Sequence, residues 1–380
     1  MKKIVGIIAA AALASTAFAE VNVGTWNRAI FEPVYYDGDT VRSFEGPSWD
    51  VGSVGGVRTG LGFSASSENA GVVFDIHGNP GAAIGMGDNA YTWVKPVDML
   101  TLKFGKMDNN WGRLDHCFGT WDYSRFAGVL SVGEGLAGVE RQKGLGAEVT
   151  LQPVEGLVID YEANFYGDNH TYDVMWESSS TMIGYQADFG FIRAIINGQQ
   201  AAKYKAKDAD GDEKPAAVIA LAADITAIEN LVIKAGLSIP TVLTKKDSAI
   251  RIGAGVDYNL DALALHAQTE LGIRAKSIND DLDYELGAFT AYVGAGVDYA
   301  FSDAWKLVTD VRFSTYSAQN TDGKDVIYED PAFGAYLGLQ QQLTNATFAF
   351  GAQFGKRAMH NKHEADDFTF AVPLTMTVSF

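Results

Sequence analysis

From Phe368 to Phe380 every second residue is apolar: Phe368, Phe370, Val372, Leu374, Met376, Val378 and Phe380. The residues between them, Thr369, Ala371, Pro373, Thr375, Thr377 and Ser379, are small or polar. A period of two is the signature of an extended strand with one apolar face. Strands of soluble domains usually run about five or six residues, and this run is thirteen long. Crossing a bilayer at a tilt takes roughly nine to eleven residues. The pattern therefore predicts a membrane-crossing strand that ends on the ring of Phe380.

The same alternation recurs upstream, and the connections alternate between short and long. Short turns fall at 66–69, 95–98, 153–156, 188–190, 226–230, 259–261, 302–304 and 344–345. Between them lie longer polar connections at 35–53, 108–142, 167–180, 200–215, 240–248, 276–283, 318–331 and 356–367, with 78–81 the one short exception. Three turns share a chemistry of apolar residue, acid, turn residue and leucine, as in Pro96-Val97-Asp98-Met99-Leu100, Pro153-Val154-Glu155-Gly156-Leu157 and Ala227-Ile228-Glu229-Asn230-Leu231. Tight turns on one side and extended loops on the other are the mark of a transmembrane up-and-down barrel. The expected fold is all-β and antiparallel, with about 18 strands, or 16 if the first segment or the pair around Ala70 to Gly78 is misread. Short turns face the periplasm and long loops face outward.

Charge tests this phase. When outward positions are set by apolar residues alone, Lys103, Glu148, Asp160, Glu162, Lys234, Arg251, Asp257, Glu270, Lys306, Asp310 and Arg312 all fall on the inward phase. Outward neighbours are residues such as Leu102, Val149, Tyr161, Ile233, Ile252, Leu271, Leu307 and Val311. A cation facing lipid at mid-bilayer costs roughly 2–4 kcal/mol, so an outer face free of charge is expected. Charges on the inner face imply a wet lumen. About eight strands leave an interior that side chains fill, whereas 16 to 18 leave an aqueous channel.

At the other end, Met1-Lys2-Lys3, an apolar stretch from Ile4 to Thr16 and the small-x-small site Ala17-Phe18-Ala19 read as a signal peptide over residues 1–19. Residues 20–380 then form a single barrel domain. The formal net charge of −18 argues against nucleic acid as a partner. Cys117 is the single cysteine, which excludes an intramolecular disulfide.

The longest connection, 108–142, is the candidate for narrowing the lumen. It holds Asp108, Trp111, Arg113, Asp115, Trp121, Asp122, Tyr123, Arg125 and Glu134. Signal peptide, alternating strands and terminal Phe380 together resemble a bacterial outer-membrane porin of the general diffusion kind. The resemblance implies an outer-membrane location, no enzymatic activity, no cofactor or bound metal, and passive passage of small hydrophilic solutes and ions. It implies that Phe380 is read by the barrel-assembly machinery and that the protein is a homotrimer in outer-membrane lipid. It also implies that loop residues Asp108, Arg113, Asp115, Asp122, Arg125 and Glu134 face wall residues Arg193, Lys234, Arg251 and Arg312 at a constriction. No local arginine cluster is evident in the sequence. The acidic balance points to mild cation preference.

Three rival functions share these features. In a sugar-selective channel, Trp111, Trp121 and Tyr123 would stack on the solute. A barrel enzyme could draw on His170, His360, His363 and Glu364, yet no nucleophile stands beside them. The His360-x-x-His363 pair and the acidic run Asp208 to Glu213 are commonly solvated loop residues, and Ile219 occupies the place where a calcium loop needs its closing glutamate. An adhesin or structural protein would carry its function in the external loops.

Overall fold

The computed structural model describes residues 20–36, 38–44, 57–78, 84–109, 142–164, 179–198, 206–207, 213–214, 217–241, 249–279, 283–315, 317–321, 324–328, 331–356 and 368–380. Eighteen of its strands close one antiparallel barrel. In chain order they are β1 (Glu20–Tyr36), β2 (Val57–Ser66), β3 (Ala70–Gly78), β4 (Gly85–Val97), β5 (Leu100–Asn109) and β6 (Gln142–Leu151). Next come β7 (Leu157–Asn164), β8 (Ser179–Ala187), β9 (Gly190–Asn197), β10 (Val218–Ile228), β11 (Leu231–Pro240) and β12 (Ala249–Leu260). The last six are β13 (Leu263–Asn279), β14 (Asp283–Ala300), β15 (Trp305–Ser314), β16 (Ala332–Gln342), β17 (Ala346–Lys356) and β18 (Phe368–Ser379). Each strand pairs with its chain neighbours, and β18 pairs with β1 to shut the ring. At that seam the Thr25 N–H donates to the Phe380 carbonyl at 2.9 Å and the Phe380 N–H donates back at 2.8 Å. Closure removes the exposed sheet edges that hydrocarbon would leave unsatisfied.

Register makes the two faces. Because side chains alternate, the pairs Lys103↔Glu148, Glu148↔Glu162, Lys234↔Gly255, Asp257↔His266 and Gly294↔Arg312 all lie on one face. Every inward charge expected from the sequence sits on that inner face. The outer face is apolar, with exposed Ile192, Leu221, Ile252, Leu271, Val293 and Leu337. Exposed aromatics edge it on β14–β18: Phe289, Phe313, Phe333, Phe354 and Phe368 towards the long-loop side, Tyr299, Phe301 and Phe380 towards the short-turn side. Phe289 and Tyr299 are ten residues apart on β14. At about 3.3 Å per residue and a tilt of about 45°, that is about 23 Å, close to the roughly 25 Å apolar band of membrane barrels.

Three connections differ from expectation. In the connection expected at 276–283, residues 276–279 and 283 are strand: β13 and β14 continue as a paired ribbon through Lys276↔Glu285 and Asn279↔Asp283, past a register shift after Arg274. The alternation is absent there because apolar alternation reports contact with lipid, and backbone pairing needs none. Overlapping the connection expected at 318–331, Ser317–Thr321 pairs antiparallel with Lys324–Tyr328. Val41–Phe44, placed in a loop by the sequence, pairs with β1 above the end of β2.

Candidate functional site: the inner wall

The inner wall carries charges of both signs, and strand register decides which of them meet. Lys103 Nζ donates to Glu148 Oε1 at 2.6 Å. Arg193 Nη1 donates to Asp224 Oδ2 at 2.7 Å, bridging β9 and β10. Arg312 Nε donates to Asp310 Oδ2 at 2.8 Å, two residues apart on the inner face of β15. His266 Nδ1 lies 2.6 Å from Asp257 Oδ1 and its Nε2 lies 3.6 Å from Asp298 Oδ2, which also receives Lys306 Nζ at 3.3 Å. That last set forms a chain of alternating groups across β12–β15, near the short-turn end.

Acid is concentrated on β6 and β7. Glu148 stands directly opposite Glu162, and Asp160 opposite Thr150. Glu148, Asp160 and Glu162 are all buried, with Lys103 as the nearby cation. Like charges facing one another across a ladder oppose stability, so this stretch of wall holds negative potential at a folding cost.

Base is concentrated on β1 and β2. Arg28 and Arg58 are direct cross-strand partners, and both guanidinium groups lie over the Trp26 ring, at 4.7 and 5.8 Å from its centroid. Such contacts hold a guanidinium in place without neutralising it. Gly60 makes this possible, since a Cβ there would fall 2.3 Å from the Trp26 ring. The tryptophan therefore lies flat on backbone and carries two arginines on the wall. This is the arginine cluster missing from the linear sequence. Its members are thirty residues apart, and only the pairing of β1 with β2 makes them neighbours.

One group beside it has metal-ligand spacing: Asp75, His77 and Asp88 place ligand atoms within 4.8 Å of one another. The hydrogen bonds there argue against a metal. Arg58 Nη2 can only donate, and it lies 2.9 Å from His77 Nδ1. The ring proton of a neutral His77 is then on Nε2, facing Asp75 Oδ2 at 3.4 Å. A cation at Nε2 would have to displace that proton. Asp75 is also engaged by the Asp88 and Asn89 backbone N–H groups at 3.2 and 2.5 Å. The trio is better described as a relay that fixes Arg58 and a bulge in β4.

Elsewhere the described wall also carries Lys234, Arg251 and Glu270, and between the charges lie apolar and neutral polar stretches. Met182, Ile195 and Ala220 form a buried apolar cluster on β8–β10, flanked by Val158, Phe191 and Val218. On β16–β18 the inward positions are Gly, Ala, Gln, Thr, Ser, Pro and Tyr, including Tyr336, Gln353 and Thr375. The Tyr336 ring lies against Gly338 and Gly351, where any Cβ would meet it.

Of the expected site residues, Arg193, Lys234, Arg251 and Arg312 stand on the inner wall, on β9, β11, β12 and β15. Arg193 and Arg312 are ion-paired on the wall itself. The chain path of β5 includes Asp108. Trp111, Arg113, Asp115, Trp121, Asp122, Tyr123, Arg125 and Glu134 lie outside the described residues, as do His170, His360, His363 and Glu364. Trp26, Arg28, Arg58 and His77 were not singled out from the sequence. The signal was present in the inward phase of Trp26-x-Arg28-x-Ile30, but the partner strand was not.

No family model matches the sequence, and no curated protein matches it. Solved structures do. Outer-membrane expressed OmpT of Vibrio cholerae superposes with a TM-score of 0.51 at 11% identity, over 96% of this chain and 99% of that one. Pseudomonas aeruginosa OccK11 (OpdR) gives 0.51 at 10% identity, over 95% and 96%. The anion-selective porin from Comamonas acidovorans gives 0.50 at 12% identity, over 95% and 100%. At such identities the likeness is one of fold. The chain is an eighteen-stranded closed barrel with the fold of bacterial outer-membrane porins.

Proposed function

We propose that this protein is a channel of the bacterial outer membrane through which small hydrophilic solutes and ions diffuse passively. The observation that carries the reading is the division of faces: aliphatic and aromatic side chains outside, ion-paired charges of both signs inside. A charged inner face is costly unless water reaches it, and water there makes a path. Nothing in the reading calls for catalysis or a cofactor. Residues 1–19 act as the export signal, outer-membrane lipid surrounds the barrel, Phe380 at the seam is the handle for the assembly machinery, and the protein works as a homotrimer.

Selectivity follows from the wall. The acidic stretch at Glu148, Asp160 and Glu162 and the overall charge of −18 favour mild cation preference. Arg28 and Arg58 oppose it locally. At the narrowest level, Asp108, Arg113, Asp115, Asp122, Arg125 and Glu134 of the long connection face the wall cations Arg193, Lys234, Arg251 and Arg312, with Trp111, Trp121 and Tyr123 contacting the solute. Planar-bilayer recording of the purified protein tests this. Stepwise ohmic conductance with a reversal potential of cation sign in a salt gradient is expected. No conductance refutes the channel, and a reversal potential of anion sign refutes the preference.

A further inference from the structure

His77 stands at the long-loop end of β3, next to Gly78, with its side chain 14% exposed on the inner face. Among the described residues, charged groups approach it from every strand packed around it. From β2, Arg58 Nη2 donates to its Nδ1 at 2.9 Å. On its own strand, Asp75 Oδ2 lies 3.4 Å from Nε2. From β4, Asp88 brings a carboxylate oxygen within 4.8 Å of ligand atoms on both. From β5, Lys106 Nζ reaches in to donate to the Gly87 carbonyl. From β1, Trp26 meets the imidazole edge-on, with ring centroids 5.3 Å apart, and carries Arg28 on its face. Gly87 lets the β4 backbone close on the imidazole, since a Cβ there would fall 2.8 Å from Nε2. Confined in this way, the ring has little room to turn.

We propose that His77 is a positioning residue that couples ion selectivity to pH by holding or releasing Arg58. The neutral ring accepts the Arg58 hydrogen bond on Nδ1, which ties the guanidinium to β3. Imidazole is the side chain that ordinarily changes charge between about pH 5 and 8. A proton taken from lumen water occupies the Nδ1 lone pair that Arg58 used, and an imidazolium has no acceptor left to offer. Two cations then face one another at a separation of 2.9 Å. Asp75 and Asp88 favour the charged ring where it stands, so the long arginine side chain is the partner that moves. Acidification thus adds one positive charge at His77 and projects that of Arg58 into the lumen. Both changes lower the local preference for cations. The inference extends passive passage to its regulation, and it rests on the channel reading above.

Reversal potentials of the purified protein in planar bilayers test it, in a potassium chloride gradient stepped from about pH 8 to about pH 5.5. The comparison is with His77→Gln, whose carboxamide oxygen still accepts from Arg58 but does not titrate. Carboxylates of the wall titrate in both proteins, so the difference between the two profiles is what is read. The cation-to-anion permeability ratio of the wild type is expected to fall at least about twofold further than that of His77→Gln. Coincident profiles from two conducting proteins overturn the role of His77 and leave the channel standing. Absence of conductance from the wild type at every pH overturns both. A second variant, Arg58→Gln, keeps the imidazole and removes the cation to be released, and it serves equally if His77→Gln does not fold. Its fall is expected to be less than half that of the wild type, and an undiminished fall overturns the release of Arg58.

Discussion

Leu337 tests the two-faced barrel most directly. It is 53% exposed on the outer face of β16, four residues below Phe333 of the aromatic edge, and its ladder neighbours are Thr309 and Ala352. Four residues at about 3.3 Å and a tilt of about 45° set it about 9 Å inside that edge, too deep for an arginine to reach water cheaply. Leu337→Arg is therefore expected to cost about 2–4 kcal/mol. At 1.36 kcal/mol per tenfold, that lowers the folding equilibrium roughly 30- to 900-fold. The control is Thr150→Arg, an inward position between Glu148, whose carboxylate Thr150 contacts at 3.2 Å, and Asp160 across the ladder. A guanidinium there joins an acidic wall and should cost little. Refolding from urea into lipid vesicles, read by tryptophan fluorescence and by heat-modifiable gel migration, measures both. Equal loss from the two variants, or an undisturbed Leu337→Arg, would refute the assignment of faces.

Other outcomes follow from single sites. Gly190 has φ +128°, and a Cβ there would lie 2.0 Å from the Asp224 carbonyl; Gly190→Ala should cost about 1–3 kcal/mol in urea unfolding with unitary conductance unchanged. Replacing Arg28 and Arg58 together by alanine removes two wall cations, so the reversal potential in a salt gradient should move further towards cations, and no shift would mean the pair does not sense the lumen. Lys103→Met removes the 2.6 Å ion pair to Glu148; a loss of about 1–3 kcal/mol is expected by equilibrium unfolding, and Lys103→Arg should restore most of it.

Within one strand, side-chain direction is a property of covalent geometry, so alternation from Phe368 to Phe380 already carried both faces of β18. The same reasoning set Lys103, Glu148, Lys234 and Arg312 inside, and the spacing of turns led to eighteen strands. Contacts between strands obey a different constraint. Arg28 meets Arg58, and Asn27 meets Thr59, through a register set by closing the whole ring. Two segments distant in sequence share that register only once every intervening strand is paired. The ribbon that pairs Ala275–Asn279 with Asp283–Leu286 escaped detection because ladder hydrogen bonds form without the hydrophobic alternation by which strands were read. Phase was thus local and readable, whereas adjacency is collective and belongs to the folded barrel.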